Sequence, residues 1–141
     1  MRIGAATALH FKGKTGVMAD DRRLVNVKNA IVAGIEKTNE AACDMGMGFG
    51  ALLSFSIREK GLDGGIMLTL KDGICYLYFY DRFGLKVSFD GYSELKRMHS
   101  QLPDGALAVN ISSGRESRCD VTNYINSLKT TSVCAKDIYL I

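Results

Sequence analysis

Residues 65–90 read GIMLTLKDGICYLYFYDRFGLKVSFD, and the period of this stretch decides the fold reading. Ile66, Leu68 and Leu70 alternate with Met67, Thr69 and Lys71. Cys75, Leu77 and Phe79 alternate with Tyr76, Tyr78 and Tyr80, and Leu85, Val87 and Phe89 alternate with Lys86 and Ser88. Successive strand residues point to opposite faces, so each run separates an apolar side from a more polar one. Lys71-Asp72-Gly73 and Asp81-Arg82-Phe83-Gly84 supply the turn chemistry between the runs. The stretch predicts a three-stranded antiparallel meander. One face is apolar; the other carries Tyr76, Tyr78 and Tyr80 in a row edged by Lys71 and Lys86.

Upstream, Asp20 and Asp21 place acidic caps before a helix predicted to run to about Met45. Its stripe is Leu24, Val27, Ile31, Ile35, Thr38, Ala42 and Met45, at three- and four-residue steps. Gly46 ends that helix in this reading. Phe49, Ala51, Leu53, Phe55 and Ile57 then alternate with smaller residues, which predicts a strand. Downstream, Asp90 caps a helix carrying Tyr92, Leu95, Met98 and Leu102, and Pro103-Asp104-Gly105 stops it. Leu107, Val109 and Ile111 suggest a strand, Val121, Tyr124, Ile125 and Leu128 a helix, and Ile138 to Ile141 a last strand.

The predicted fold class is therefore α+β: a mostly antiparallel sheet of about five to six strands with three helices, in the order α-β-β-β-β-α-β-α-β. The last strand–helix–strand unit is expected to be a right-handed parallel crossover.

With 141 residues, 47% hydrophobic and 23% charged, the chain is long enough to bury one proper core. No apolar run approaches the ~18 residues of a membrane span. The net charge of +3 is unevenly placed. Residues 1–19 hold Arg2, Lys12 and Lys14 and no acid, and the remaining 15 basic side chains match 15 acidic ones. The division expected is a basic N-terminal arm, 1–19, and a single α+β domain, 20–141. His10, Lys12 and Lys14 interrupt the apolar run that a targeting segment needs, so a cytoplasmic location is expected. A neutral body also argues against a protein built mainly to hold duplex nucleic acid.

Cys43, Cys75, Cys119 and Cys134 form no Cys-x-x-Cys pair and the chain has two histidines, so zinc-ligand spacing is absent. Free thiols are expected, with Cys75 buried on the core face of a central strand and Cys43 on a helix. No metal or other cofactor is expected.

Two binding candidates stand out. Tyr76, Tyr78 and Tyr80, with Lys71 and Lys86, would suit a stacking platform for unpaired bases or a protein-binding face if left open. A helix laid over them would instead make them core wall. The second is the loop and helix start at Ser112, Ser113, Gly114, Arg115 and Arg118, where backbone N–H groups and arginines could hold an anion. Ala8 to Thr15 meets only a loose phosphate-loop pattern without the strand-and-helix setting that chemistry needs. Gly46-Met47-Gly48-Phe49-Gly50 follows a helix rather than a strand in this reading, the wrong order for a dinucleotide fingerprint. His10 and His99 lie beside no recognisable nucleophile, so no catalytic residue is assigned.

The expected function is that of a small non-enzymatic binding or adaptor module acting through a protein partner or a homodimer. The alternative is a nucleic-acid or phosphate-ligand binding protein, a small nuclease included.

Overall fold

A computed structural model describes residues 1–102 and 123–128. The element order is α1 (Arg2–Phe11), β1 (Thr15–Ala19), a 3-10 turn (Arg22–Leu24), α2 (Val25–Glu36), β2 (Ala42–Met47), α3 (Gly50–Lys60), β3 (Gly64–Lys71), β4 (Ile74–Asp81) and α4 (Phe89–Gln101). Residues 123–128 are helical.

Among the described residues the sheet has four strands in the order β2-β1-β3-β4. β1 runs parallel to both β2 and β3, and β4 alone is antiparallel. This corrects the expected mostly antiparallel sheet with three helices. The parallel pairs are joined by helices, as parallel strands require, and the helices cover both faces.

Two core layers follow from the pleat. On one face Val17, Ala19, Ile66, Leu68 and Phe79 pack with Ala8 of α1, Ile31, Val32 and Ile35 of α2 and Leu95 of α4. On the other, Met18, Met45, Met67 and Tyr80 pack with Leu52, Leu53 and Ile57 of α3. The architecture is a three-layer α/β/α sandwich.

The β3–β4 hairpin is antiparallel and pairs apolar residues of the two strands on one face. Ile66 faces Phe79, Leu68 faces Leu77, Thr69 faces Tyr76, and Gly65 faces Tyr80. Asp72 and Gly73 turn the chain, both with positive φ. The expected third strand of the meander is reduced to a single bridge between Tyr80 and Lys86.

Three further elements differ from expectation. The long first helix stops at Glu36, and Ala42–Met47 is a strand. Phe49–Ile57 is not a strand but the start of a helix. Leu52, Leu53, Ser56 and Ile57 are its buried residues, a helical spacing that alternation at odd positions disguised. The basic residues 1–19 supply α1 and the central strand, every residue of β1 being buried.

α1 sits close on α2 because two glycines let backbones meet. A Cβ on Gly4 would stand 2.2 Å from the Ile31 carbonyl oxygen, and one on Gly34 would stand 2.2 Å from the Met1 carbonyl oxygen. Among the described residues no helix is long and apolar enough to cross a membrane.

Candidate functional site: the β4 edge and the carboxyl ends of the strands

Among the described residues β4 lies at the edge of the sheet, and its alternation splits its side chains between two environments. Phe79 and Leu77 join the α1–α2–α4 layer. Tyr80 packs beneath α3 and is 9% exposed. Tyr76 and Tyr78 extend past α3 and stay 41% and 38% exposed. The tyrosine row is therefore neither open nor covered. Its carboxyl-terminal member is core wall; the other two face outward.

Lys71 is exposed at the end of β3 opposite Ile74. Lys86 places Nζ 4.8 Å from the centre of the Tyr78 ring, a cation–π contact. So Tyr78, Tyr80 and Lys86 come together, while Tyr76 and Lys71 lie further toward the hairpin. The Tyr80 phenol is held above its ordinary pKa by burial first and by its neighbour Tyr78 second.

The turn after β4 is built firmly. Asp81 Oδ1 accepts the N–H groups of Phe83 at 2.9 Å and Leu85 at 3.0 Å. Ser54 Oγ of α3 donates to the Gly84 carbonyl at 2.6 Å. Gly84 has φ 73° and no room for a side chain against the Ser54 carbonyl, so the turn depends on it. The result is that Phe83 and Leu85 are pinned outward at 67% and 64% exposure, with Phe89 at the start of α4 at 83%.

Two hollows flank this strip. One of about 480 Å³ lies among β4, α1 and α4, lined by Ile3, Tyr76, Leu77, Leu95, Lys96 and His99. Another of about 330 Å³ is lined by Tyr78, Phe79, Lys86, Val87, Phe89 and Tyr92. Cys75 also borders the larger hollow. It is an exposed free thiol rather than the buried one expected, because β4 stands at the end of the sheet among the described residues. Burial of its sulfur and the Asp20 carboxylate both push its pKa up, which disfavours the reactive thiolate. Cys43 lies on β2, half-buried, instead of on a helix.

The other region with chemical potential is the carboxyl end of the parallel strands. β1 leads to α2 on one face and β2 leads to α3 on the other, so the sheet has a topological switch point between them. After β1, Asp20 Oδ1 accepts the Leu70 N–H at 3.0 Å and ties β1 to β3. Asp21 accepts the Arg23 backbone N–H and its guanidinium, whose hydrogen bonds hold the carboxyl at about 2. After β2, the glycine-rich run enters α3. Its order, strand before helix, is the reverse of the sequence reading. No side chain caps the α3 N-terminus.

Ser112, Ser113, Gly114, Arg115 and Arg118 lie outside the described residues, as do Cys119 and Cys134. No group of three or more metal-ligating side chains occurs among the described residues. Sequence reasoning missed Phe83, Leu85 and Phe89 as surface features, because in a meander they were inward or turn positions. The signal that could have found them was Asp81, two residues before Phe83, whose Asx-turn chemistry competes with strand continuation.

No protein-family model matches the chain, and no curated protein matches it. Solved structures do share the fold. The exocytosis-sensitive phosphoprotein pp63/parafusin (phosphoglucomutase) from Paramecium, in its open form, superposes with a TM-score of 0.70 at 11% identity. The match covers 92% of this chain and 31% of that one, so the present chain spans about a third of its neighbour's length. At that identity the likeness shows the fold alone.

Proposed function

We propose that the chain is a protein-interaction domain that docks another folded protein unit along the β4 edge. The observation that supports this most is the exposed strip on and beside β4: Ile74, Tyr76, Tyr78, Phe83, Leu85 and Phe89. Contiguous exposed apolar surface on a soluble domain marks an interaction site, and aromatic residues are favoured at its centre. The strip is held in place by the Asp81 turn and indented by two hollows that could seat side chains. The pp63/parafusin structure shares the fold over about a third of its own length. That protein is named a phosphoglucomutase. The present reading takes the fold from it, and not the activity.

A single-strand nucleic-acid platform has less behind it. Stacking needs free ring faces, whereas Tyr80 lies under α3 and Lys86 occupies one face of Tyr78.

The test is association of the full chain, alone and with protein extract, compared with a Phe89→Asp variant. Loss of self-association or of captured partners in the variant supports the reading. A chain that stays monomeric and captures the same proteins with and without the substitution contradicts it.

A further inference from the structure

The larger of the two hollows follows from how the helices sit on β4. Leu77 and Phe79 of that strand line it from the sheet, and Ile3 and Ala6 of α1 and Leu95 of α4 line it from the helices. Gly4 and Gly34 bring α1 against α2, and toward the hollow α1 offers at Ala6 only a methyl group. Space therefore remains between two helices and a strand. Its volume of about 480 Å³ falls in the range of small-molecule pockets, about 300–1,000 Å³. Arg2 of α1 donates to the His99 carbonyl of α4 at 2.9 Å and ties the two helices together beside it.

An apolar lining alone would suit many occupants. The polar groups narrow the choice. Lys96 and His99 stand one turn apart on α4, and both border the hollow. Lys96 Nζ lies 5.0 Å from the centre of the Tyr92 ring, another lining residue. Among the described residues that ammonium makes no ion pair, and no acidic side chain lines the hollow. Glu94, the neighbouring acid on α4, is paired with Arg97. Asp20 acts on the Cys75 thiol at the rim, but its carboxylate already accepts the Leu70 N–H. The charge of Lys96 is thus held at the hollow by a ring face and not by a carboxylate. His99 adds an N–H donor in either charge state of its imidazole. Ammonium and imidazole together can serve both oxygens of one carboxylate.

We propose that this hollow binds a small amphiphilic carboxylate, its apolar body against Leu77, Phe79 and Leu95 and its head at Lys96 and His99. A cation would meet the ammonium, and a wholly apolar molecule would leave both donors unused. The proposal goes beyond the docking reading and does not rest on it. The exposed strip shares only Ile74 and Tyr76 with this lining, and Phe89 takes no part in it.

The test is a calorimetric titration of the full chain with decanoate and, in a second arm, with naphthoate. Decylammonium, the same chain with the opposite charge, is the control. Saturable binding of an acid at a single site is expected, with decylammonium about tenfold weaker or more. Tighter decanoate identifies a flexible chain as the apolar body; tighter naphthoate identifies a flat ring. Lys96→Gln, at an exposed position, should weaken the acid about threefold to tenfold and leave decylammonium no weaker. Cys75→Trp, also at an exposed position, puts a ring into the hollow and should abolish binding. Phe89→Asp should bind the acid as the parent does even where it loses protein partners, so the two readings fail separately. The proposal is overturned if neither acid binds saturably, or if decylammonium binds as tightly as the acids. Folded Lys96→Gln and Cys75→Trp variants that match the parent would overturn it as well.

Discussion

The ammonium of Lys28 on α2 donates to the Asp44 carboxylate on β2 inside the protein, with side chains 6% and 10% exposed. Asp44 Oδ1 also accepts the Gly46 N–H at 2.9 Å, which fixes the turn of backbone that leads out of β2. One carboxylate thus joins a helix to an edge strand and shapes the approach to α3. Removing one member of such a pair strands a buried charge. Asp44→Asn is expected to cost about 3–5 kcal/mol in urea unfolding, whereas Lys28→Met with Asp44→Leu should cost much less. A double variant that loses as much as its two single substitutions added together would show that the pair does not act as a unit.

Leu52 distinguishes the helix from the strand that alternation suggested. In α3 it is 1% exposed while Ala51 is exposed. Leu52→Ala should therefore lower stability by about 2–5 kcal/mol, and Ala51→Lys should be tolerated. The reverse pattern would restore the strand.

Asp21 should titrate unusually low. Its hydrogen bonds from Arg23 hold it at about 2, against an ordinary 3.8. A carboxyl depressed in the folded state adds stability above its unfolded pKa. That contribution fades as pH falls from about 4 toward 2. Carboxyl-carbon titration by NMR checks the midpoint, and Arg23→Ala should move it up toward the ordinary range. A midpoint unchanged by that substitution would remove Arg23 as the cause.

Mild nitration should divide the tyrosines of β4. Tyr76 and Tyr78 are expected to react readily, and Tyr80 to resist, from both burial and its raised phenol pKa. Peptide mapping by mass spectrometry gives the answer directly. Protection of Tyr76 and Tyr78 that disappears on dilution would locate them in a self-interface.

How far the sequence revealed this fold depended on the length and regularity of each pattern. The β3–β4 hairpin was legible in its alternation and its turn, because eight-residue strands with strict alternation and Asp72-Gly73 between them stand out from any helical period. The predicted apolar stripe was legible at Ile31 and Ile35 of α2 and at Leu24 in the turn before it, all buried. β1 was not. A short central parallel strand is buried on both faces and has no alternation to show, and Lys12 and Lys14 just before it made the segment look like a solvated arm. α3 was misread because Leu53 and Ile57 fit both periods, and only the burial of Leu52 and Ser56 separates them. Of the candidate site, the residue types of β4 were readable. Which tyrosine α3 would cover was not, since that follows from the crossing of a helix the sequence had placed as a strand.

The docking role of the β4 edge is tested most directly by sedimentation velocity, paired with capture from extract, on the full chain and on a Tyr78→Asp/Phe89→Asp variant. Both positions are exposed, so the variant should keep its fold by circular dichroism. The result expected is a concentration-dependent dimer, or a stoichiometric partner, that the double substitution abolishes. A parent chain that remains monomeric at every concentration, with captured proteins identical to those of the variant, would contradict the account.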